Sequence, residues 1–166
     1  AVIDVFSNLS LGYQGHSVKI NGTVRDEGDF AETVTVTLYY NITANKIIDT
    51  QIINLLQGEN QTIIFIWNTA GVEYCHNYTI TAVAEIVSDN DPADNTLADG
   101  KIKVRILGDI NGDGYVGIDD IIYAAEHFGE SPDRPRWEPK CDMNGDNYIG
   151  IDDIVLVASN FGNTCS

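Results

Sequence analysis

The chain has 166 residues, 43% of them hydrophobic and 20% charged, an ordinary folding composition that excludes global disorder. Nine Lys and Arg against 25 Asp and Glu leave a formal net charge of −16, which excludes nucleic acid and anionic membrane surfaces as partners and favours cations. The longest apolar runs, Ile63–Trp67 and Ile154–Ala158, fall far short of the roughly 18 residues that a membrane span needs.

The chain starts at Ala1 with no initiator Met and no charged, apolar-cored leader, so the expectation is a secreted, extracellular or cell-surface chain whose signal segment has been removed. As far as Leu107 it reads as strands separated by turn signals: Val2–Phe6, Ser17–Arg25, Thr33–Asn41, Lys46–Leu55, Gln61–Asn68, Asn77–Val87 and Asp99–Leu107. Seven strands predict an immunoglobulin-like β-sandwich. Its turns fall at Asp26–Asp29, Gln57–Asn60, Ala70–Gly71 and Ser88–Asn95.

The first strand is unusual. Val2, Ile3, Val5 and Phe6 put apolar side chains on both faces, interrupted by Asp4, and a strand apolar on both sides needs cover on both sides. It either packs in its own sandwich or completes a sheet in a second copy, and the latter predicts calcium-dependent, head-to-tail self-assembly into filaments.

Five asparagines stand in N-x-[ST] triplets, Asn8, Asn21, Asn41, Asn60 and Asn77. Asn21 falls on the polar parity of Ser17–Arg25, Asn41 follows Thr35, Thr37 and Tyr39, and Asn77 leads Thr79 and Thr81. Those three are expected to point outward and carry glycans, as in a secreted glycoprotein. Two smaller features admit bland readings. Asp89, Asp91 and Asp94 form either a solvated acidic turn or a further calcium site, and Tyr39, Tyr40 and Trp67 either stack on sugars or pack in the core. His16, His76 and His127 are scattered, with no HExxH and no acid–base partner at motif spacing, so no enzyme is expected.

Several short motifs then fall in order: Tyr13-x-Gly15, Val24-Arg25-Asp26-Glu27-Gly28, Gly58-Glu59-Asn60, Phe65-x-Trp67-Asn68-Thr69 and Asp94-Asn95-Thr96. Together they resemble the cell-adhesion-related (CARDB-like) domain of prokaryotic surface proteins. That resemblance implies an immunoglobulin-like domain over residues 1–107 with a structural or adhesive role.

From Asp109 the text repeats. Residues 109–129 recur as 142–162, with Pro132, Pro135 and Pro139 in the connector between them. With Asp109 as position 1, Asp109, Asn111, Asp113, the carbonyl of Tyr115 and Asp120 occupy positions 1, 3, 5, 7 and 12 of a seven-coordinate Ca²⁺ loop. Asp142, Asn144, Asp146, Tyr148 and Asp153 repeat the set, so two Ca²⁺ ions are expected. Gly117 and Gly150 at position 9 leave that vertex to water. Position 6 is Gly114 in the first loop and Asn147 in the second, which predicts a slightly weaker second site. Ile121, Ala125 and Phe128, like Ile154, Ala158 and Phe161, fall at helical spacing before Gly129 and Gly162.

Tandem loops ending in Asp, each followed by one short helix, resemble the dockerin module, here residues 108–166. The resemblance implies Ca²⁺ as a folding cofactor, since so small a core does not stand alone, and a cohesin-type scaffold as a partner. Positions 10 and 11 are Ile118-Asp119 and Ile151-Asp152, where cohesin-binding dockerins often have Ser-Thr. Leu107-Gly108 joins the last strand to the first loop without a linker, which predicts a rigid junction.

Three cysteines, Cys75, Cys141 and Cys165, match no zinc spacing and allow one disulfide. The dockerin resemblance implies that the C-terminus returns close to Gly108. If the last two strands are antiparallel neighbours, Cys75 and Cys165 then meet and staple the two domains, with Cys141–Cys165 as the alternative. The function expected is that of an extracellular, calcium-stabilised structural or adhesion protein. A dockerin-type adaptor and a carbohydrate-binding module are the alternatives.

Overall fold

A computed structural model of the chain describes residues 2–7, 11–86 and 92–165. Asn8, Asp89 and Asp91 lie outside the described residues. The chain divides into two compact units, one of Ala1–Gly12, His16–Ala70 and His76–Lys103, the other of Tyr13–Gly15, Gly71–Cys75 and Val104–Ser166.

The strands are β1 (Val2–Ser7), β2 (Leu11–Tyr13), β3 (Ser17–Arg25), β4 (Glu32–Asn41), β5 (Lys46–Leu55), β6 (Asn60–Asn68), β7 (His76–Glu85) and β8 (Thr96–Arg105). They form a three-stranded sheet, β1-β3-β6, and a five-stranded sheet, β2-β8-β7-β4-β5. The count is eight among the described residues where the sequence predicts seven. The addition, β2, is three residues around a glycine, too short to show an alternation, and its pairing with β8 comes from far along the chain. A β-carbon on Gly12 would stand 2.8 Å from Val18 Cγ2, so the close approach there requires glycine.

Alternation builds the sandwich core. In β3 the residues Val18, Ile20 and Val24 turn inward between exposed or half-buried neighbours, and in β6 Ile63, Phe65 and Trp67 do the same. The register sets Ile20 opposite Phe65 and Val18 opposite Trp67. From the other sheet come Val34, Val36 and Leu38 of β4 and Tyr78, Ile80, Ala82 and Ala84 of β7. Each large side chain so buried contributes about 1.5–3 kcal/mol. Trp67 crosses between the sheets, its ring 4.8 Å from Tyr40 and 5.5 Å from Tyr78. Buried in this way, Trp67 offers no platform for a sugar.

β1 pairs antiparallel with β3 of its own chain, Val5 opposite Gly22 and Phe6 opposite Asn21. It is the edge strand of its sheet, and donation to a second copy would have to open this ladder.

In the second unit, helices α1 (Ile118–Glu126) and α2 (Ile151–Ser159) have nine residues each. Asp119-Asp120 and Asp152-Asp153 occupy their first turns, where carboxylates favour the helix dipole. Gly129 and Gly162, at φ +83° and +87°, turn the chain away after each helix. The inward faces differ from the spacing that sequence suggests. Asp120 and Ala124, and likewise Asp153 and Val157, are buried, whereas Ala125, Phe128, Ala158 and Phe161 are exposed. The cause is Asp120 and Asp153 themselves, whose carboxylates reach back to the loop main chain and rotate that stripe inward. Around these faces lies one core of Tyr13, Ile106, Ile110, Val116, Cys141, Met143 and Ile149, against which Trp137 of the proline-rich connector packs.

Candidate metal centre

Each loop is organised by its own carboxylates. In the first, Asp120 Oδ1 accepts the amides of Ile110 at 2.8 Å and Asn111 at 3.0 Å, and Oδ2 accepts that of Gly117 at 2.8 Å. In the second, Asp153 repeats this with Met143 at 2.7 Å, Asn144 at 3.1 Å and Gly150 at 2.7 Å. The bond from the position-9 amide to the position-12 carboxylate also caps the helix, so ligand position and helix start are fixed by one contact.

Position 1 works in the same way. Asp109 accepts Gly112 N at 2.8 Å and Gly114 N at 3.3 Å. Asp142 accepts Gly145 N at 2.8 Å, Asp146 N at 3.1 Å and Asn147 N at 2.9 Å. Asn111 Oδ1 accepts Asp113 N, and Asp113 Oδ1 accepts Tyr115 N; Asn144, Asp146 and Tyr148 repeat both bonds. All ten residues named from sequence thus belong to one hydrogen-bond pattern used twice, eight through their side chains and Tyr115 and Tyr148 through their amides.

Asp120 and Asp153 are 0% exposed. Among the described residues no Lys, Arg or His forms an ion pair with any loop carboxylate. Burial pushes the Asp109 carboxyl above the ordinary carboxylate range, while the Gly112 amide and the charge of Arg105 pull it down. Among the described residues no three His, Cys, Asp or Glu side chains gather closely enough to hold a metal by themselves. A cation in either loop would therefore draw also on the Asn side chains, the Tyr115 and Tyr148 carbonyls and water, a hard, all-oxygen set that fits Ca²⁺.

The loops are closed from outside by short ladders. Val116 N donates to Asn163 O at 2.9 Å, Gly162 N to Val116 O at 2.9 Å and Cys165 N to Gly114 O at 2.7 Å. In the second loop Ile149 N donates to Glu130 O at 2.9 Å and Gly129 N to Ile149 O at 2.8 Å. Cys75 and Cys165 are joined, with Cα atoms 5.7 Å apart across 90 residues of sequence. Both cysteines belong to the second unit, because residues 71–75 cluster there; the bridge ties that unit to itself, where sequence placed it between domains. Cys141 is free and buried, and burial pushes its thiol up to about 12.

Sequence reasoning missed Arg105. Its guanidinium covers Gly112, standing where a β-carbon on that glycine would be. It lies outside the repeat, so no repeat signal marks it. Of the sequon asparagines, Asn60 and Asn77 are exposed, whereas Asn21 and Asn41 are half-buried in β3 and β4. Among the described residues Asn21 Oδ1 has no partner, and Asn41 donates to Asn45 Oδ1. Asp94 is exposed. No helix among the described residues is long and apolar enough to cross a membrane.

No family model matches the chain, and no curated protein matches it. Solved structures do. The crystal structure of the CARDB domain of the PF1109 protein from Pyrococcus furiosus, a complex with di-metal ions, is 15% identical over 60% of this chain and 83% of that one, with a TM-score of 0.49. The β-glucosidase EmGH1 from Erythrobacter marinus is 16% identical with a TM-score of 0.50, over 63% of this chain and only 15% of the glucosidase. At such identities the likeness is one of fold, a mostly β, immunoglobulin-like sandwich.

Proposed function

We propose that this is an extracellular, calcium-stabilised structural or adhesion protein, an immunoglobulin-like sandwich carrying a dockerin-like pair of calcium loops. One observation carries the reading: Asp120 and Asp153 are wholly buried, each holds three backbone amides, and among the described residues neither has a cationic partner. Three amides offset only part of the cost of burying each charge, and the same remainder arises twice at equivalent places. Ca²⁺ held by Asp109, Asn111, Asp113, Tyr115 and Asp120, and by Asp142, Asn144, Asp146, Tyr148 and Asp153, offsets it and cross-links loop to helix. Bound Ca²⁺ supplies folding energy and no reaction. The fold likeness to a CARDB domain and the exposed sequons at Asn60 and Asn77 support a surface location.

The test is calorimetric titration of Ca²⁺ into chelated, full-length protein, with far-ultraviolet ellipticity followed on melting. The helical signal should melt earlier in EGTA and recover with Ca²⁺. An unchanged melt of the helices with and without chelator rules out the calcium reading.

A second reading, an adaptor that docks a cohesin-type domain, is favoured by Ile118 and Ile151, which are 58% and 61% exposed at equivalent positions of the two loops. Calcium-dependent capture of a cohesin domain by the full chain, lost in I118D/I151D, would favour the adaptor over the structural role.

A further inference from the structure

Three Asn-Gly dipeptides occur in the chain, Asn21-Gly22, Asn111-Gly112 and Asn144-Gly145. The same chemistry is open to each. A glycine after asparagine carries no side chain to shield its amide, so that nitrogen can close on the asparagine Cγ and expel the side-chain nitrogen. The fold places the three dipeptides in different surroundings.

Asn21-Gly22 is held in the middle of a sheet. Asn21 pairs with Phe6 and Ile64, and Gly22 with Val5 and Ile63, so β3 is fixed from both sides. Ring closure would have to break both ladders. Among the described residues no donor reaches Asn21 Oδ1.

The loop asparagines are arranged otherwise. Asn111 Oδ1 accepts Asp113 N and Asn144 Oδ1 accepts Asp146 N, each at 2.9 Å. A donor at that oxygen draws electrons from Cγ and stabilises the charge that develops on Oδ1 as the ring closes. On the attacking side, Gly112 N donates to Asp109 Oδ1 and Gly145 N to Asp142 Oδ1, both at 2.8 Å. Neither glycine lies in a strand or a helix, so no ladder has to open.

Cover separates these two. Gly112 is half-buried, and the Arg105 guanidinium stands where its β-carbon would be. Asn144, Gly145 and Asp146 are all exposed, and nothing lies within 4 Å of a β-carbon on Gly145. There water reaches the reacting atoms and the glycine is free to turn.

We infer that Asn144 is a site of spontaneous deamidation. Gly145 N bonds to Asn144 Cγ and its proton passes to water; the Cγ–Nδ2 bond breaks, and the nitrogen leaves as ammonia. Water then opens the resulting succinimide at either carbonyl. Opening at Cγ leaves aspartate, a further carboxylate in a loop that already holds Asp142, Asp146 and Asp153. Opening at the main-chain carbonyl leaves isoaspartate, which routes the chain through the side-chain carbons and lengthens the loop. Water is the only co-reactant, and amide and water become carboxylate and ammonium. Either product alters the second loop while the first keeps its sequence. The inference goes beyond the calcium reading and does not rest on it.

The experiment follows the three asparagines in time. Full-length protein is kept with Ca²⁺ or with EGTA at a temperature where the helical ellipticity is intact. Peptide mapping by mass spectrometry reads the amide-to-acid conversion at each Asn, and electron-transfer fragmentation tells isoaspartate from aspartate. Asn144 should convert about fivefold faster than Asn111, the rate equivalent of about 1 kcal/mol, and Asn21 should convert slowest of the three. Arg105→Gln should bring Asn111 up towards the Asn144 rate, and Gly145→Ala should suppress conversion at Asn144. In urea Asn111 and Asn144, each followed by Gly-Asp, should convert at one rate. Equal rates at the two loops in the folded protein overturn the inference. So does an Asn144 lead that persists undiminished in urea, since local sequence and not the fold would then set it.

Discussion

The two repeated loops carry nearly the same text and sit in different surroundings. The first is pinned by three main-chain bonds to residues 162–165, backed by the Cys75–Cys165 bridge and covered at Gly112 by Arg105. The second is pinned by two bonds to residues 129–130, and nothing stands within 4 Å of a β-carbon on Gly145. Asp109 is buried while Asp142 is half-buried. The repeat therefore fixes the ligands, and the segments outside it fix how firmly each loop is held.

The largest separation between the loops should come from the disulfide. It closes 90 residues, for which chain entropy gives about 4–5 kcal/mol. Cys75→Ser should lower stability by that order in urea denaturation. Because Cys165 N bonds Gly114 O, amide exchange should rise at Cys165 and across the first loop before the second. Equal loss of protection in both loops would mean that the bridge serves the unit as a whole. Cys141, with its thiol held up near 12 by burial, should stay unreactive toward a thiol reagent at pH 8 until the protein is unfolded.

Next come the buried carboxylates. Asp120→Asn and Asp153→Asn each weaken charge-assisted bonds to three amides, and about 2–3 kcal/mol is expected for each without calcium. The two costs should be similar, since both side chains are 0% exposed and make matching bonds. With Ca²⁺ present the gap from wild type should widen at whichever loop holds an ion. A gap indifferent to Ca²⁺ at both loops would confine these residues to capping.

Much of this arrangement is legible in the sequence because it is local. The period-two alternation of Ser17–Arg25 and Gln61–Asn68 names the buried side of β3 and β6, and the loop spacing names the residues that share each loop's hydrogen-bond pattern, though not the amides they meet. What escapes is set by distant pairing. β2 is extended only because β8 lies beside it, and Tyr13 joins the second unit's core from the other end of the chain, its hydroxyl donating to Lys140 O at 3.4 Å. The helix faces escape for a different reason. An aspartate is read as exposed, yet Asp120 and Asp153 turn inward because the loop amides replace their water, so Ala125 and Phe128 face out.

Position 6 tests the sequence expectation that the second loop is the weaker. Asn147 adopts φ +66° and Gly114 φ +89°. Asn147→Gly should change stability by about 0.5 kcal/mol or less, because relief of the left-handed strain and added chain entropy oppose each other. Gly114→Asn should cost about 1–2 kcal/mol, since its β-carbon would meet Cys165 Sγ at 3.2 Å, an atom the disulfide holds in place. Symmetric effects of the two exchanges in paired thermal melts would show that local backbone alone, and not the C-terminal segment, separates the loops.

The smallest effect isolates Arg105. Gly112 and Gly145 have nearly the same φ, +81° and +77°, so alanine at either meets the same left-handed strain of about 1–2 kcal/mol. Only at Gly112 must the new methyl displace the guanidinium, and because that is the far end of a flexible side chain, the extra cost should stay below about 1 kcal/mol. The displacement has a chemical consequence larger than its energy. A positive charge beside Asp109 stabilises the ion-free loop and opposes an entering cation, so moving it away should tighten Ca²⁺ at the first loop while lowering stability in EGTA. Arg105→Gln should do the same without the backbone strain, and Gly145→Ala should lower stability through strain alone and leave Ca²⁺ at the first loop unchanged. Calcium titration and EGTA melting of the three variants side by side will read this, and a first loop indifferent to Arg105→Gln would reduce the guanidinium to a packing group.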